Sequence, residues 1–168
     1  MRELYNLNIT QEVTQHFNAV LLGSKNIDED SVMSGAKEAL SKFQNHELDE
    51  FVIEHMETLE KMMQMLSDDR WKTSSSDKKF ILSALQYFTQ EDDLIPDDIP
   101  KIGLLDDCIM IDIVEKKIKE KMQAYKKYVL AAKIYGKNKY YSTKDWKETQ
   151  RKELFSRIRH RRLRNQRR

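Results

Sequence analysis

Apolar residues recur at three- and four-residue spacing along most of this chain, the period of amphipathic helix. Ile9, Val13, Phe17, Val20 and Leu21 form one such face over residues 9–22, with Asn8 or Thr10 as a cap and Gly23 as a stop. A second helix starts at Asp28 or Asp30 and turns Val32, Ala36, Ala39, Leu40 and Phe43 inward. Over 47–67, Leu48, Phe51, Val52, His55, Leu59, Met62, Met63 and Leu66 share a face, while Glu50, Glu54, Glu57 and Glu60 point away. The serine-rich run from Trp71 to Asp77 breaks the pattern, because Ser and Asp favour turns and N-caps over helix interiors. It reads as a hinge inside one domain. A helix from about Asp77 to Gln90 then buries Phe80, Ile81, Ala84, Leu85 and Phe88.

The longest helix spans about Leu104 to Tyr135, with Leu105, Ile109, Ile111, Val114, Ile118, Met122, Tyr125, Val129 and Ala132 as its stripe. Gly136 ends it, and Lys133 in the last turn suits the helix dipole. Ser142, Thr143 or Asp145 caps a final helix, whose packing face is Trp146, Gln150, Leu154, Phe155 and Ile158. Past Ile158 only Leu163 is apolar, so packing is expected to give out there. No segment alternates with period two for long enough to make a strand. The pattern therefore predicts an all-α bundle of five to six helices. A single helical domain covers 1–140, and a basic C-terminal helix or tail covers 141–168.

Composition refines this picture. Charged residues make up 35% of the chain and hydrophobic residues 39%, so each helix has one apolar stripe and a solvated back. The formal net charge of +2 hides a division. From Lys137 to Arg168 there are 13 Lys/Arg against three acids, a net of +10, which leaves 17 basic and 25 acidic residues before it, a net of −8. A basic end on an acidic body predicts a polyanionic partner, or a tail that folds back on the body. The single cysteine, Cys108, allows no internal disulfide. There is no apolar run of membrane-spanning length and no signal-peptide core at the N-terminus. A soluble cytoplasmic protein is expected.

Between the 77–90 helix and the long helix that follows lies Asp92–Asp107, which holds both prolines, one of the four glycines and six of the 28 acidic residues. Pro96 and Pro100 push Ile95 and Ile99 out of helix and suit the start of short helical turns. Gly103 permits a close approach, and Asp106 and Asp107 fall at the favourable end of the following helix dipole. The whole reads as a corner that turns one helix into the next.

At these residues the chain resembles a known family. Asp93-Leu-Ile-Pro96-Asp-x-Ile-Pro100-x-x-Gly103-x-Leu-Asp-Asp107, preceded by Ala84-Leu-x-Tyr-Phe88, is similar to the motif of the YkvA-like domain, a small helical bacterial domain of unknown function. The resemblance covers about residues 77–122. It differs at Asp98, where the family often has an aromatic or apolar residue. It differs again at Glu115-Lys-Lys-Ile-Lys-Glu-Lys, where many members continue into apolar, membrane-associated helices. It implies a fold and no reaction.

The acidic corner admits two readings. The carboxylates cap helix ends and pair with lysines, so that Asp93, Pro96, Asp97, Pro100, Gly103, Asp106 and Asp107 are architectural. Alternatively, Asp93, Asp97, Asp106 and Asp107 hold an adventitious divalent cation through oxygen ligands. The spacing is not that of an EF-hand loop, and no cofactor is expected. Glu12 and His16 are an i, i+4 pair that reads as a surface contact. His46, His55 and His160 are scattered, with His55 on an apolar stripe. Cys108 reads as a small buried hydrophobe.

The C-terminal run is rich in arginine, whose planar fork matches phosphate in a bidentate manner. Arg157, Arg159, Arg161, Arg162, Arg164, Arg167 and Arg168 are the candidate polyanion contacts. Three functions are carried forward. The first is a non-enzymatic helical binding or adaptor module that uses these arginines on nucleic acid or another polyanion. The second is a self-associating or partner-binding scaffold that uses the Met-rich 47–67 face. The third is a cation-dependent hydrolase at the acidic corner. No catalytic constellation is visible, so the reading leans away from an enzyme.

Overall fold

A computed structural model describes residues 11–23, 27–43, 48–90, 103–135 and 142–165. Among these it contains six helices and no strand: α1 (Gln11–Gly23), α2 (Glu29–Phe43), α3 (Glu50–Ser67), α4 (Ser75–Phe88), α5 (Leu105–Tyr135) and α6 (Thr143–Asn165). The protein is all-α, as the period of its apolar residues predicts. One helix start moves for a visible reason. Asp77 is expected to open its helix, yet Ser74 is the N-cap of α4. The Asp77 N–H donates to Ser74 Oγ at 3.2 Å, and the Ser74 hydroxyl donates to the Asp77 carboxyl. Ser74-Ser-Ser-Asp77 is therefore a capping-box sequence in which Ser74 Oγ satisfies the Asp77 N–H and the Asp77 carboxylate holds the Ser74 hydroxyl.

The chain divides into two compact units, Met1–Ser67 with Thr73–Met122, and Asp68–Lys72 with Gln123–Arg168. Compactness thus groups residues differently from a boundary at 140: Asp68–Lys72 and the end of α5 go with α6.

In the first unit, α4 is the axis, and α1, α2 and α3 all pack on it. The expected single stripe gives way to burial on nearly every side. Leu82, Ser83 and Tyr87 are buried along with Ile81, Ala84, Leu85 and Phe88, while Phe80 is half-buried. Three helices pack on α4, and its exposed residues, Ser75, Ser76 and Lys79, all lie near its start. Phe17 of α1 meets the Tyr87 ring edge-on, with centroids 5.6 Å apart. On α2, a Cβ at Gly35 would come within 3.3 Å of Thr89 Cγ2, so glycine lets α2 approach the end of α4 closely.

The methionines of α3 enter the same core: Val52, Met56, Leu59, Met62, Met63 and Met65 are buried. Phe51, His55 and Leu66, expected inside, are half-buried. Burying each of these aliphatic side chains contributes about 1.5–3 kcal/mol. The Met-rich face is therefore committed to packing. In α5, Cys108, Met110, Ile111, Ile113, Val114 and Ile118 are buried.

His55 of α3 joins α5 through a polar contact. Its Nδ1 lies 2.7 Å from the Phe51 carbonyl, and its Nε2 lies 3.2 Å from Asp112 Oδ1. A carbonyl can only accept and a carboxylate accepts, so both ring nitrogens donate and the geometry suits the imidazolium. Burial alone would lower the His55 pKa, but the bonds to Asp112 and the Phe51 carbonyl outweigh it and raise the value above 6.5. The same bond to His55 lowers Asp112 against its own burial. The raised histidine stabilises the fold fully below its unfolded pKa, and that contribution is lost as pH rises through the folded value. The lowered aspartate contributes above its ordinary pKa and loses that contribution as pH falls. The pair therefore stabilises most at about pH 5–6. In urea titrations, His55→Gln is expected to cost about 1 kcal/mol there, a modest value because Asp112 is partly exposed, and less above about pH 8. A deficit independent of pH would overturn this assignment.

The second unit is built on four aromatic rings. Trp71 lies 5.3 Å from both Tyr125 and Tyr128 and 5.8 Å from Trp146, measured between centroids. The 68–72 turn is held by Asp68. The Arg70 guanidinium donates to both of its carboxylate oxygens at 2.9 Å, the Arg70 N–H at 3.0 Å, and the Tyr125 hydroxyl at 3.4 Å. The bonds from Arg70 keep Asp68 below its usual range, and burial beside Asp68 pushes the Tyr125 phenol up to about 12. The segment expected to be a hinge thus opens with part of a core. In α6, packing stops well before Ile158: every residue from Gln150 to Arg161 is exposed. The expected packing face Gln150, Leu154, Phe155 and Ile158 is instead open to solvent, because Trp146 is the last α6 side chain in the aromatic cluster.

Candidate functional site: the basic helix

The start of α6 is fixed by a second capping box. The Asp145 N–H donates to Ser142 Oγ at 3.2 Å, while the Ser142 N–H and hydroxyl donate to Asp145 Oδ2 at 2.8 and 2.7 Å. These bonds to Ser142 hold Asp145 below the usual carboxylate range. Of the three candidate caps, Ser142 is the one used. Trp146 then anchors the first turn, and the side chains from Gln150 to Arg161 project into solvent. A 23-residue helix is about 35 Å long.

Arg157, Arg159 and Arg161 are exposed on this segment. Arg162 and Arg164 lie within α6, and Arg167 and Arg168 fall outside the described residues. Two exposed i, i+4 pairs run along the helix, Glu148–Lys152 at 3.1 Å and Glu153–Arg157 at 4.0 Å. Such pairs are worth only a few tenths of a kcal/mol, so they yield readily to a stronger anion. Arg159 and Arg161 form no ion pair among the described residues. The structure adds Arg151, whose guanidinium sits 5.6 Å from the centroid of Phe155. The i, i+4 spacing was the available sign of that contact. What sequence reasoning missed outright is that Leu154, Phe155 and Ile158 share this exposed helix with the arginines.

The acidic corner is only partly on view. Asp93, Pro96, Asp97 and Pro100 lie outside the described residues, whereas Gly103, Asp106 and Asp107 are buried. Asp106 opens α5, accepting the Tyr87 hydroxyl on Oδ2 at 3.1 Å and the Asp107 N–H on Oδ1 at 3.2 Å. Tyr87 belongs to the lead-in Ala84-Leu-x-Tyr-Phe88, so one hydrogen bond ties the two halves of the motif together. Among the described residues, no three His, Cys, Asp or Glu side chains gather as a metal-binding set. Cys108 is buried, and burial followed by the charges of Asp107, Asp112 and Asp106 drives its thiol pKa upward. It packs as a small buried hydrophobe, as its place on an apolar face predicts. Glu12 and His16 are both exposed on α1, and His16 meets Phe17 edge-on at 5.5 Å. His160 is exposed and His46 lies outside the described residues.

Residues 77–111 match the family DUF1232, described as a protein of unknown function. The DUF1232 match runs from the first turn of α4 into the second turn of α5, so Tyr87 and Asp106 both lie inside it. It ends before Met122, where the resemblance to YkvA-like domains was drawn, and it leaves α1–α3 and α6 outside. No curated protein and no solved structure matches the chain. Among the described residues, no helix is long and apolar enough to cross a membrane. DUF1232 accounts for the centre of the first unit and supplies no chemistry for the basic helix.

Proposed function

We propose that this chain is a non-enzymatic helical binding module whose α6 arginines contact the phosphates of a nucleic acid. The observation that carries the reading is the exposure of every described α6 residue from Gln150 to Arg161, with Arg157, Arg159 and Arg161 among them. Arginine offers bidentate donors to phosphate, and a helix of this length fits the major groove of a duplex or lies along a single strand. The non-enzymatic part of the reading is supported by the state of the reactive groups. Asp106 is engaged by Tyr87, and Cys108 is buried with its thiol raised.

The test is fluorescence anisotropy of labelled duplex and single-stranded oligonucleotides titrated with the full chain over a series of salt concentrations. Binding to duplex is expected to weaken linearly in log–log form, by about 0.9 per phosphate neutralised. Arg157→Ala/Arg159→Ala/Arg161→Ala is expected to flatten that slope by about three and to weaken binding at least tenfold at low salt. Equal binding by the wild-type chain and the triple variant, or binding indifferent to salt, would sink the proposal. Stronger retention on heparin than on any oligonucleotide would move the target to another polyanion.

A further inference from the structure

On the first unit, Leu40, Phe43, Leu48, Ile53 and Met56 line a cleft with Glu57 and Glu60 at its edge. Its volume is about 250 Å3, below the roughly 300–1,000 Å3 of small-molecule pockets. An apolar floor of this size instead fits the anchor side chains of an amphipathic helix. Ile53, on the solvent side of α3, is 44% exposed at the mouth of this cleft. The rim is acidic. α3 carries Glu50, Glu54, Glu57 and Glu60 against Lys61 and His55, and His55 is engaged by Asp112. Lys61 pairs with Glu57 at 3.1 Å, an exposed i, i+4 contact worth a few tenths of a kcal/mol. Glu60 forms no ion pair among the described residues.

A helix of the complementary kind is present in the same chain. Leu154 and Ile158 are one turn apart on α6 with Phe155 beside them, and they are 57%, 39% and 53% exposed. Arg151, Lys152, Arg157, Arg159 and Arg161 surround them. Apolar anchors amid cations match an apolar cleft edged by glutamates in both shape and sign. We infer that the cleft between α2 and α3 receives α6 of a second copy of this chain. Each copy offers one cleft and one helix, so two reciprocal contacts close a two-fold dimer. This pairing goes beyond the nucleic-acid reading and does not depend on it. The anchors are apolar, so they are changed without touching an arginine.

Sedimentation velocity of the full chain over a wide concentration range tests it. A dimer is expected at low salt, loosening as salt screens the rim. Ile53→Glu and Leu154→Glu/Ile158→Glu are each expected to raise the dissociation constant at least tenfold, the size of losing a buried anchor. All three positions are exposed, so circular dichroism and melting temperature should stay at wild-type values. Mixing the two variants restores one intact cleft and one intact helix, and a heterodimer is expected from the mixture alone. A wild-type chain that stays monomeric throughout overturns the inference. A dimer that neither variant weakens places the interface elsewhere and overturns it as well. A mixture that remains monomeric shows that cleft and helix do not meet. Oligonucleotide binding retained by Leu154→Glu/Ile158→Glu would separate this pairing from the function proposed above.

Discussion

Tyr128→Ala is expected to unfold the second unit at room temperature. Tyr128 is fully buried and its ring touches those of Trp71, Tyr125 and Trp146, with Arg70 5.8 Å from its centroid. Truncating a buried aromatic to alanine costs about 3–5 kcal/mol in lost transfer energy and residual cavity. The unit spans about fifty residues, a size at which a folded chain buries too little surface to have that much stability in reserve. Both tryptophans of the chain, Trp71 and Trp146, belong to this cluster. Intrinsic tryptophan fluorescence therefore reports on the second unit, while far-UV circular dichroism reports on all six helices. In the variant, fluorescence should show solvent-exposed tryptophan from the start, and dichroism should retain a cooperative transition from the first unit. A native emission spectrum with a transition shifted by less than about 1 kcal/mol would show that the rings are not the core of this unit.

Asp106→Ala carries the second-largest expected effect, and it bears on what the DUF1232 stretch is for. The Asp106 carboxyl is buried in the first turn of α5 and accepts the Tyr87 hydroxyl from α4. Its removal takes away the carboxylate that accepts the buried Tyr87 hydroxyl, at about 1–3 kcal/mol. It also removes an acidic group from the end of the helix where the dipole favours one, at a further 0.3–1 kcal/mol or so. A loss of about 2–4 kcal/mol is expected in thermal and urea denaturation of the first unit. Tyr87→Phe removes the donor and keeps the ring against Phe17, so it should cost less than half as much. If Asp106→Ala left stability unchanged while abolishing a ligand or cation response, the carboxyl would belong to a site and not to the joint between two helices.

Much of the fold was legible because helical period and capping chemistry are local. Ser74 and Asp77, like Ser142 and Asp145, lie three residues apart, and a pair at that spacing satisfies a helix start wherever it occurs. The stripes of α2 and α3 could be read for the same reason. The degree of burial could not. Leu82 and Ser83 point away from the stripe that periodicity assigns to α4, and only the three helices packed on it explain why they are inside. Met65 of α3 is likewise buried although it lies off the stripe that periodicity assigns to its helix. The error in α6 runs in the opposite direction. Leu154, Phe155 and Ile158 have the spacing of a packing face, but no element of their own unit covers them. The candidate site was therefore half legible. The arginines are visible in the letters, whereas the apolar anchors beside them become visible only when burial is known.

By itself, the sequence determined an all-helical chain, the approximate place of each helix, an acidic body with a basic end, and a match to DUF1232 over residues 77–111. Each of these depends on residues within a few turns of one another or on simple sums of charge. Only the tertiary structure decided that α4 is buried beyond its stripe, that Asp68–Lys72 joins the end of α5 and α6, and that α6 is exposed from Gln150 to Arg161. These outcomes depend on which distant side chains meet. Trp71 finds Tyr125, Tyr128 and Trp146 across more than fifty residues of chain, and no local period records that encounter.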